Sequence, residues 1–289
     1  MSDAPQGFWS IWPIRLVFLF VATAALDAGC QAWTYGFVPR LHLPQQQIFQ
    51  LASAVVGVAL IVFIYRGLIR WTEKRRADEL GAHGAVRGFL AGALIGLVLF
   101  SAVYAIFFYL HIVTFNGMGT TQYLLRALTL SLMAAVAEEV VLRGVVFRIL
   151  EGAMGTTVAL ILSGLLFGFL HAGNPGATAV SSLAIALEAG ILLAAAYALT
   201  RSLWLPIGLH FAWNFAEGGI YSAPVSGIPF KGLLNVPISG PPLLSGGAFG
   251  PEASVVAVGV CLTAAVVMIV MTIRRGEWKP MKFRLRTAG

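Results

Sequence analysis

Residues 253–273 read ASVVAVGVCLTAAVVMIVMTI, an unbroken apolar stretch without one charged side chain. Wound into a helix at about 1.5 Å per residue, it spans the hydrocarbon core of a bilayer. Runs of the same character lie at roughly 14–34, 48–70, 88–112, 124–150, 157–172, 178–200 and 203–217. They are continuous rather than alternating, which excludes a transmembrane β-barrel. Of the 289 residues, 58% are hydrophobic and 11% charged, and the mean hydropathy is +0.85. Soluble domains carry about 25% charged residues, so a soluble enzyme and a disordered chain are excluded. The expected fold is an all-α polytopic membrane protein, with residues 1–289 forming a single bundle of about eight transmembrane helices.

The formal charge of +7 does not point to nucleic acid, because the bases sit beside the apolar runs. Lys74, Arg75 and Arg76 follow the second run with Arg66, Arg70 and Arg87 beside them, and Arg274, Arg275, Lys279, Lys282, Arg284 and Arg286 follow the last. An eight-helix count puts both groups on one side with Arg148 and Arg201, and leaves Arg40, Lys231 and Arg126 on the other. The excess of bases in cytoplasmic loops then predicts both termini inside, with 274–289 a basic cytoplasmic tail. The expected location is a bacterial or archaeal plasma membrane. No basic region precedes the uncharged stretch Leu16–Leu26 and Asp27 follows it, so the first run reads as a retained membrane helix. Residues 218–252, rich in Gly, Pro and Ser, read as a long non-cytoplasmic loop and a candidate lid. Cys30 and Cys261 fall in apolar runs and are expected as packing residues rather than a disulfide.

A charge at membrane depth is costly, so each marks a candidate function. The candidates are Asp27, His111, Glu138, Glu139, Arg143, His171, Glu188, His210 and Glu217. Glu138 and Glu139 point about 100° apart on a helix and must do different work. Glu139 and Arg143, four apart, share a face and suit an ion pair. Glu138 has no partner on its own helix and suits a general base. His210 and Asn214, also four apart, could offer two donors to a developing oxyanion or make an interhelical contact. His171, taken alone, reads as a polar residue at a helix end. Counted along the helices, Glu138 and His171 lie at one depth. Glu217 either touches the site or marks the wet end of its helix. Glu188 pairs with a neighbour or faces a cavity, and Asp27 and His111 are expected in interhelical or interfacial contacts.

Glu138-Glu139-x-x-x-Arg143, Phe167-x-x-x-His171 and His210-x-x-x-Asn214, on three helices in this order, resemble the motifs of the CAAX protease and bacteriocin-processing family. These are intramembrane endopeptidases of the Ras-converting-enzyme type. The motif-bearing core is about 124–217, and Leu203-Trp204-Leu205-Pro206 before His210 is also familial in character. A glycine common in the family near Arg201 is missing. The resemblance implies a polar catalytic cavity in which Glu138 and His171 activate water. It also implies that His210 and Asn214 form the oxyanion site and that Glu139 and Arg143 support it. Phe167 is expected to pack.

Glu138, His171 and His210 also make a two-histidine, one-carboxylate set, the pattern of a catalytic zinc. A metal-free form, in which glutamate and histidine polarise water directly, is the preferred expectation; zinc is the alternative. The implied partners are a membrane-associated or lipidated polypeptide substrate and the bilayer, without nucleic acid. Oligomeric state, substrate and cleavage site are not given by the sequence. Two other classes fit parts of the pattern. A non-catalytic scaffold of the same fold would tolerate Glu138→Gln. A proton-coupled transporter would use the buried acids as a relay, but no inverted repeat supports it.

Overall fold

The structure, a computed structural model, describes residues 7–42 and 45–285; Arg286 and the rest of the tail lie outside the described residues. Among these the chain is helical with no extended strands, and six helices are long and apolar enough to cross a membrane. α1 (Trp12–Gln31) continues through tighter and wider helical turns to Leu41. α2 (Gln46–Glu73) and α3 (Ala85–Tyr109) follow. α4 (Leu124–Glu139) passes through a π-helical segment (Val140–Phe147) into α5 (Arg148–Met154). α6 (Thr156–Leu170) ends in a 3-10 turn (His171–Gly173). α7 (Ala179–Ile185) and α8 (Ile191–Thr200) are joined by a π turn (Ala186–Gly190). α9 (Trp204–Asn214) runs through a π turn to Ile220. α10 (Pro242–Ser245) is one turn, and α11 (Val255–Arg274) closes the bundle.

All eight apolar runs fold as helix, but two are not membrane spans by length and apolarity alone. The run at 124–150 carries Arg126, Glu138, Glu139, Arg143 and Arg148, and the rod from Trp204 is short. That rod reaches Ile220, so the loop expected at 218–252 begins at Tyr221 instead.

Side chains are distributed as a lipid solvent requires. Phe63, Leu94 and Phe169 point outward, whereas Glu139, Arg143, Glu188 and Glu217 are buried inside. The chain is an integral membrane protein. Between helices in lipid, small residues replace the hydrophobic effect by letting backbones touch. Gly92 and Gly96 of α3 face Leu205 and Leu209 of α9 so closely that an added Cβ would lie 2.1 and 2.3 Å from their carbonyl oxygens. Gly208 returns the contact: a Cβ added there would lie 2.1 Å from the carbonyl oxygen of Phe89. This fit holds α9, with its histidine, against α3.

One end of the bundle is tied by charge. Glu73 accepts from Arg148 at 2.7 and 2.8 Å and from Arg75 at 2.8 Å. Glu79 pairs with Arg75 at 2.8 Å and receives the hydroxyl of Tyr65. Burial alone would raise the Glu79 carboxyl, but the hydrogen bonds from Arg75 and the charges of Arg148 and Arg75 outweigh it and hold it below the usual range. At the same end Glu151 pairs with Arg201 at 2.6 Å and Lys279 at 2.9 Å. The tail, expected only as a basic extension, lies along α5 and α6 through Thr156 N–H to Lys279 O and Arg284 N–H to Ala153 O.

At the other end, segments 112–120 and 232–239 pair through backbone bonds such as Gly119 N–H to Leu233 O and Ser239 N–H to Ile112 O. The loop turns back at Val225–Ile228 and is pinned where Ser226 donates to Glu252 at 2.8 and 2.9 Å. Cys30 and Cys261 are free thiols, as expected; Cys30 packs against Gly57 and Cys261 is buried.

Gly92→Ala is expected to lower the melting temperature in detergent, at a cost of about 1–3 kcal/mol for an overpacked contact. Gly29→Ala, where a Cβ meets nothing within 4 Å, is expected to melt like wild type. Glu79 contributes stability above its unfolded pKa of about 4.3, and that stability is lost as pH falls through its lower folded value. The melting deficit of Glu79→Gln is therefore expected to be full at pH 7 and to shrink below about pH 4.

Candidate active site

The three motif helices converge on a cavity of about 640 Å³. Glu138, the penultimate residue of α4, lines it and is partly exposed to it. His171 stands where α6 tightens into its last turn. That turn lets Nδ1–H donate to the Phe167 carbonyl at 2.8 Å, which leaves Nε2 as an acceptor. Nε2 faces Oε2 of Glu138 across 3.9 Å. This separation is too long for a direct hydrogen bond. It is close to the spacing of about 4–4.5 Å between two acceptors that share one water.

Glu139 points away from the cavity and is fully buried. Its Oε1 accepts from Arg143 at 2.9 Å and from His210 Nδ1 at 3.1 Å. Arg143 also donates to the carbonyls of Ala189 and Gly190, both at 3.1 Å. The two carbonyls belong to the π turn between α7 and α8 and its end. Its guanidinium lies 4.7 Å from the centroid of the Phe167 ring, a cation–π distance. The ring of His171 lies 4.7 Å from that of Phe167 and tilts 31° to it. Phe167 is thus the packed spacer between the ion pair and the site histidine.

His210 and Asn214 share the cavity-facing side of α9, are buried, and line the cavity with Glu138 and His171. Because Nδ1 of His210 faces a carboxylate, that nitrogen carries the proton and Nε2 is the atom available to the cavity. The α4, α7–α8 and α9 rods each contain π-helical turns beside their buried acids: Val140–Phe147, Ala186–Gly190 and Phe215–Ile220. A π turn inserts a residue into the helical ladder and re-aims the side chains around it, a feature frequent at functional sites.

The structure brings all six sequence-derived site residues together: four on the cavity wall and two directly behind it. Among the described residues no group of three or more His, Cys, Asp or Glu side chains is arranged to hold a metal ion. The hydrogen bonds at Nδ1 of His171 and His210 leave both Nε2 atoms free, so with Glu138 they keep the donor types a zinc would need, although the three are not gathered around a metal position.

Asp27, expected in an interhelical or interfacial contact, lines the cavity, with Gln31 one turn on donating to both carboxylate oxygens at 2.9 and 3.0 Å. One expectation needs correcting. Glu217 is neither at a wet helix end nor on the cavity wall; it is completely buried beside Glu252. Glu188 does face the cavity, and His111 lies exposed beyond α3. Glu252, Ser226 and Arg126 also line the cavity and were not singled out as site residues. Glu252 sits in a loop rather than an apolar run, so membrane depth gave no signal for it.

Fold and site define an integral membrane protein of all-helical architecture with a buried cavity carrying a glutamate, two histidines and an asparagine. Residues 120–216 match the family described as Rce1-like, type II CAAX prenyl endopeptidase, and the matched segment contains every one of the six site residues. Over that segment the chain is similar to a family of protease-type hydrolases. No curated protein and no solved structure matches the chain.

Arg143→Ala is expected to destabilise the fold by about 3–5 kcal/mol, because it strands the buried Glu139 carboxylate. Glu138→Gln, whose side chain faces the cavity, is expected to stay within about 0.5 kcal/mol of wild type. Thermal melting in detergent compares the two.

Proposed function

We propose that the protein is an intramembrane endopeptidase in which Glu138 and His171 activate the attacking water. The observation that carries this is the pair of acceptors, Glu138 Oε2 and His171 Nε2, 3.9 Å apart on a membrane-depth cavity. Oε2 of Glu138 is shielded in this structure, so a water enters as the pair parts slightly; it then donates one hydrogen to each and keeps its lone pairs free for attack. Glu138 takes a proton as the water oxygen bonds to the peptide carbonyl carbon. The carbonyl oxygen becomes an oxyanion facing Asn214 and His210. For Nε2 of His210 to donate as well, the ring must carry both protons, and a carboxylate at Nδ1 is the partner such a cation needs. Collapse of the tetrahedral intermediate breaks the C–N bond. Glu138 returns its proton to the leaving amine, so the products are a carboxylic acid and an amine and the site is restored.

Burial amplifies this chemistry, since charges act more strongly away from water. Glu139 and Arg143 hold α4, α9 and the α7–α8 turn in register and orient His210. The apolar part of the wall, including Phe20, Ala24, Leu130 and Met133, suits a polypeptide presented at or in the bilayer, with a hydrophobic or lipidated terminus. The charge bias of the loops supports both termini being cytoplasmic.

The test is cleavage of a membrane-peptide library by purified protein in detergent. Glu138→Gln and His171→Ala are expected to lose about 10²–10⁴ in kcat, the scale of a general base. Asn214→Ala is expected to lose about 10²–10³, the scale of one oxyanion donor. A strong chelator is expected to leave the rate unchanged. Equal cleavage by wild type and both base variants would sink the site, and loss of activity to the chelator would overturn direct water activation.

A further inference from the structure

The cavity wall carries two carboxylates that the proposed reaction does not use, Glu188 and Glu252, and a third, Glu217, is buried beside Glu252. They come from three parts of the chain: two π turns, Ala186–Gly190 and Phe215–Ile220, and the short turn Pro251–Ala253 that leads into α11. Their exposures are 1%, 0% and 3% for Glu188, Glu217 and Glu252. The charged groups nearest Glu188 and Glu217 belong to this group, and the neighbour of Glu188 on α11 is the thiol of Cys261.

Glu252 is held by Ser226, whose backbone N–H and hydroxyl donate to Oε2 at 2.9 and 2.8 Å. The others are held less well: Oε1 of Glu188 and both oxygens of Glu217 accept no well-formed hydrogen bond, and what approaches these two acids is the Cys261 thiol and Glu252 itself. Among the described residues no arginine, lysine or histidine forms an ion pair with any of the three. Arg126, the one arginine on the wall among the described residues, sits over the Phe230 ring at 5.1 Å instead. Clustered carboxylates shut away from water without a counter-charge are expensive, and unfilled acceptors at membrane depth call for a donor with positive charge. No group of three among the described side chains is arranged for a metal ion. An organic cation with several N–H donors satisfies the same acceptors without demanding a coordination sphere.

We propose that Glu188 and Glu252, backed by Glu217, form a subsite for a lysine or arginine side chain of the substrate polypeptide. The wall between them and the catalytic pair supplies the rest of what such a side chain needs. Ile185, Ala189, Leu192 and Val225 line the same cavity and would cover the hydrocarbon stem while the charged head reaches the carboxylates. The subsite rests on the endopeptidase reading, since it takes a side chain of the same substrate. It makes the enzyme selective for a basic residue near the bond that is cut, within a segment otherwise apolar.

The test uses the full-length protein in nanodiscs of zwitterionic lipid, which removes attraction to anionic headgroups. Leucine–alanine peptides with a single lysine scanned through the sequence are compared with a matching norleucine set, which keeps the stem and removes the charge. At one position lysine is expected to raise kcat/KM about tenfold over norleucine, the scale of one hydrogen-bonded charge. Glu188→Gln and Glu252→Gln are each expected to bring that ratio close to one. Because the ratio is taken within one variant, a loss of folded protein does not imitate the effect. Cleavage of both sets without a preference for lysine overturns the subsite and leaves the endopeptidase intact. If neither set is cut, fluorescence anisotropy of the same peptides decides. Tighter binding of the lysine set, abolished by Glu188→Gln, supports the subsite although the peptidase reading fails; equal binding overturns it.

Discussion

One carboxylate oxygen, Oε1 of Glu139, receives both a guanidinium N–H of Arg143 and the ring N–H of His210. None of the three groups has appreciable contact with water, and their charges must be balanced where a bilayer offers nothing else. That requirement ties α4 to α9. Through the two carbonyls that Arg143 also holds, it ties both to the turn between α7 and α8. Phe167 is packed against the same guanidinium, which brings α6 and its histidine into place. The four helical rods that carry the site are thus registered by a single buried ionic knot.

The knot also separates two adjacent glutamates by position. Glu139 is turned inward and paired; Glu138, about 100° around the helix, is left facing the cavity. Position rather than residue type distinguishes the sealed acid from the accessible one. The same holds for the histidines. His171 has its Nδ1 fixed by a backbone carbonyl and presents a lone pair, while His210 has its Nδ1 fixed by a carboxylate and can present a donor. Two chemically identical side chains thus present different atoms to the cavity because of what stands behind them.

Packing of α9 depends on a different rule. Its contact with α3 is made by glycine against backbone, leaving no volume for a side chain at Gly92, Gly96 or Gly208. This closeness brings the polar face of α9 to the cavity without a bulky residue between helices. The cavity enclosed this way is richer in carboxylates than in cations, and its loop-derived wall is closed by the Ser226–Glu252 contact. Negative charge held in such a low-dielectric wall acts strongly on whatever enters the cavity.

Much of this was legible in the amino-acid order. Continuous apolar runs demanded helices in lipid, because a backbone without water must bond to itself. The spacing of four between Glu139 and Arg143 announced their pairing, and the depth count put Glu138 level with His171. The sequence could not say that Glu139 also holds His210, because that contact joins residues 71 apart and depends on how α4 and α9 cross. Nor could it place Asp27 on the cavity wall: a charge in an apolar run signals a buried partner but not its direction. Glu252 carried no signal, since it lies in a Gly- and Pro-rich loop where an acid is ordinary. Local pattern therefore determined the helices, their solvent and the residues worth watching. Which acids face the cavity and which are sealed behind it was decided only by tertiary packing, because helix rotation and crossing are set by contacts between segments far apart in the chain.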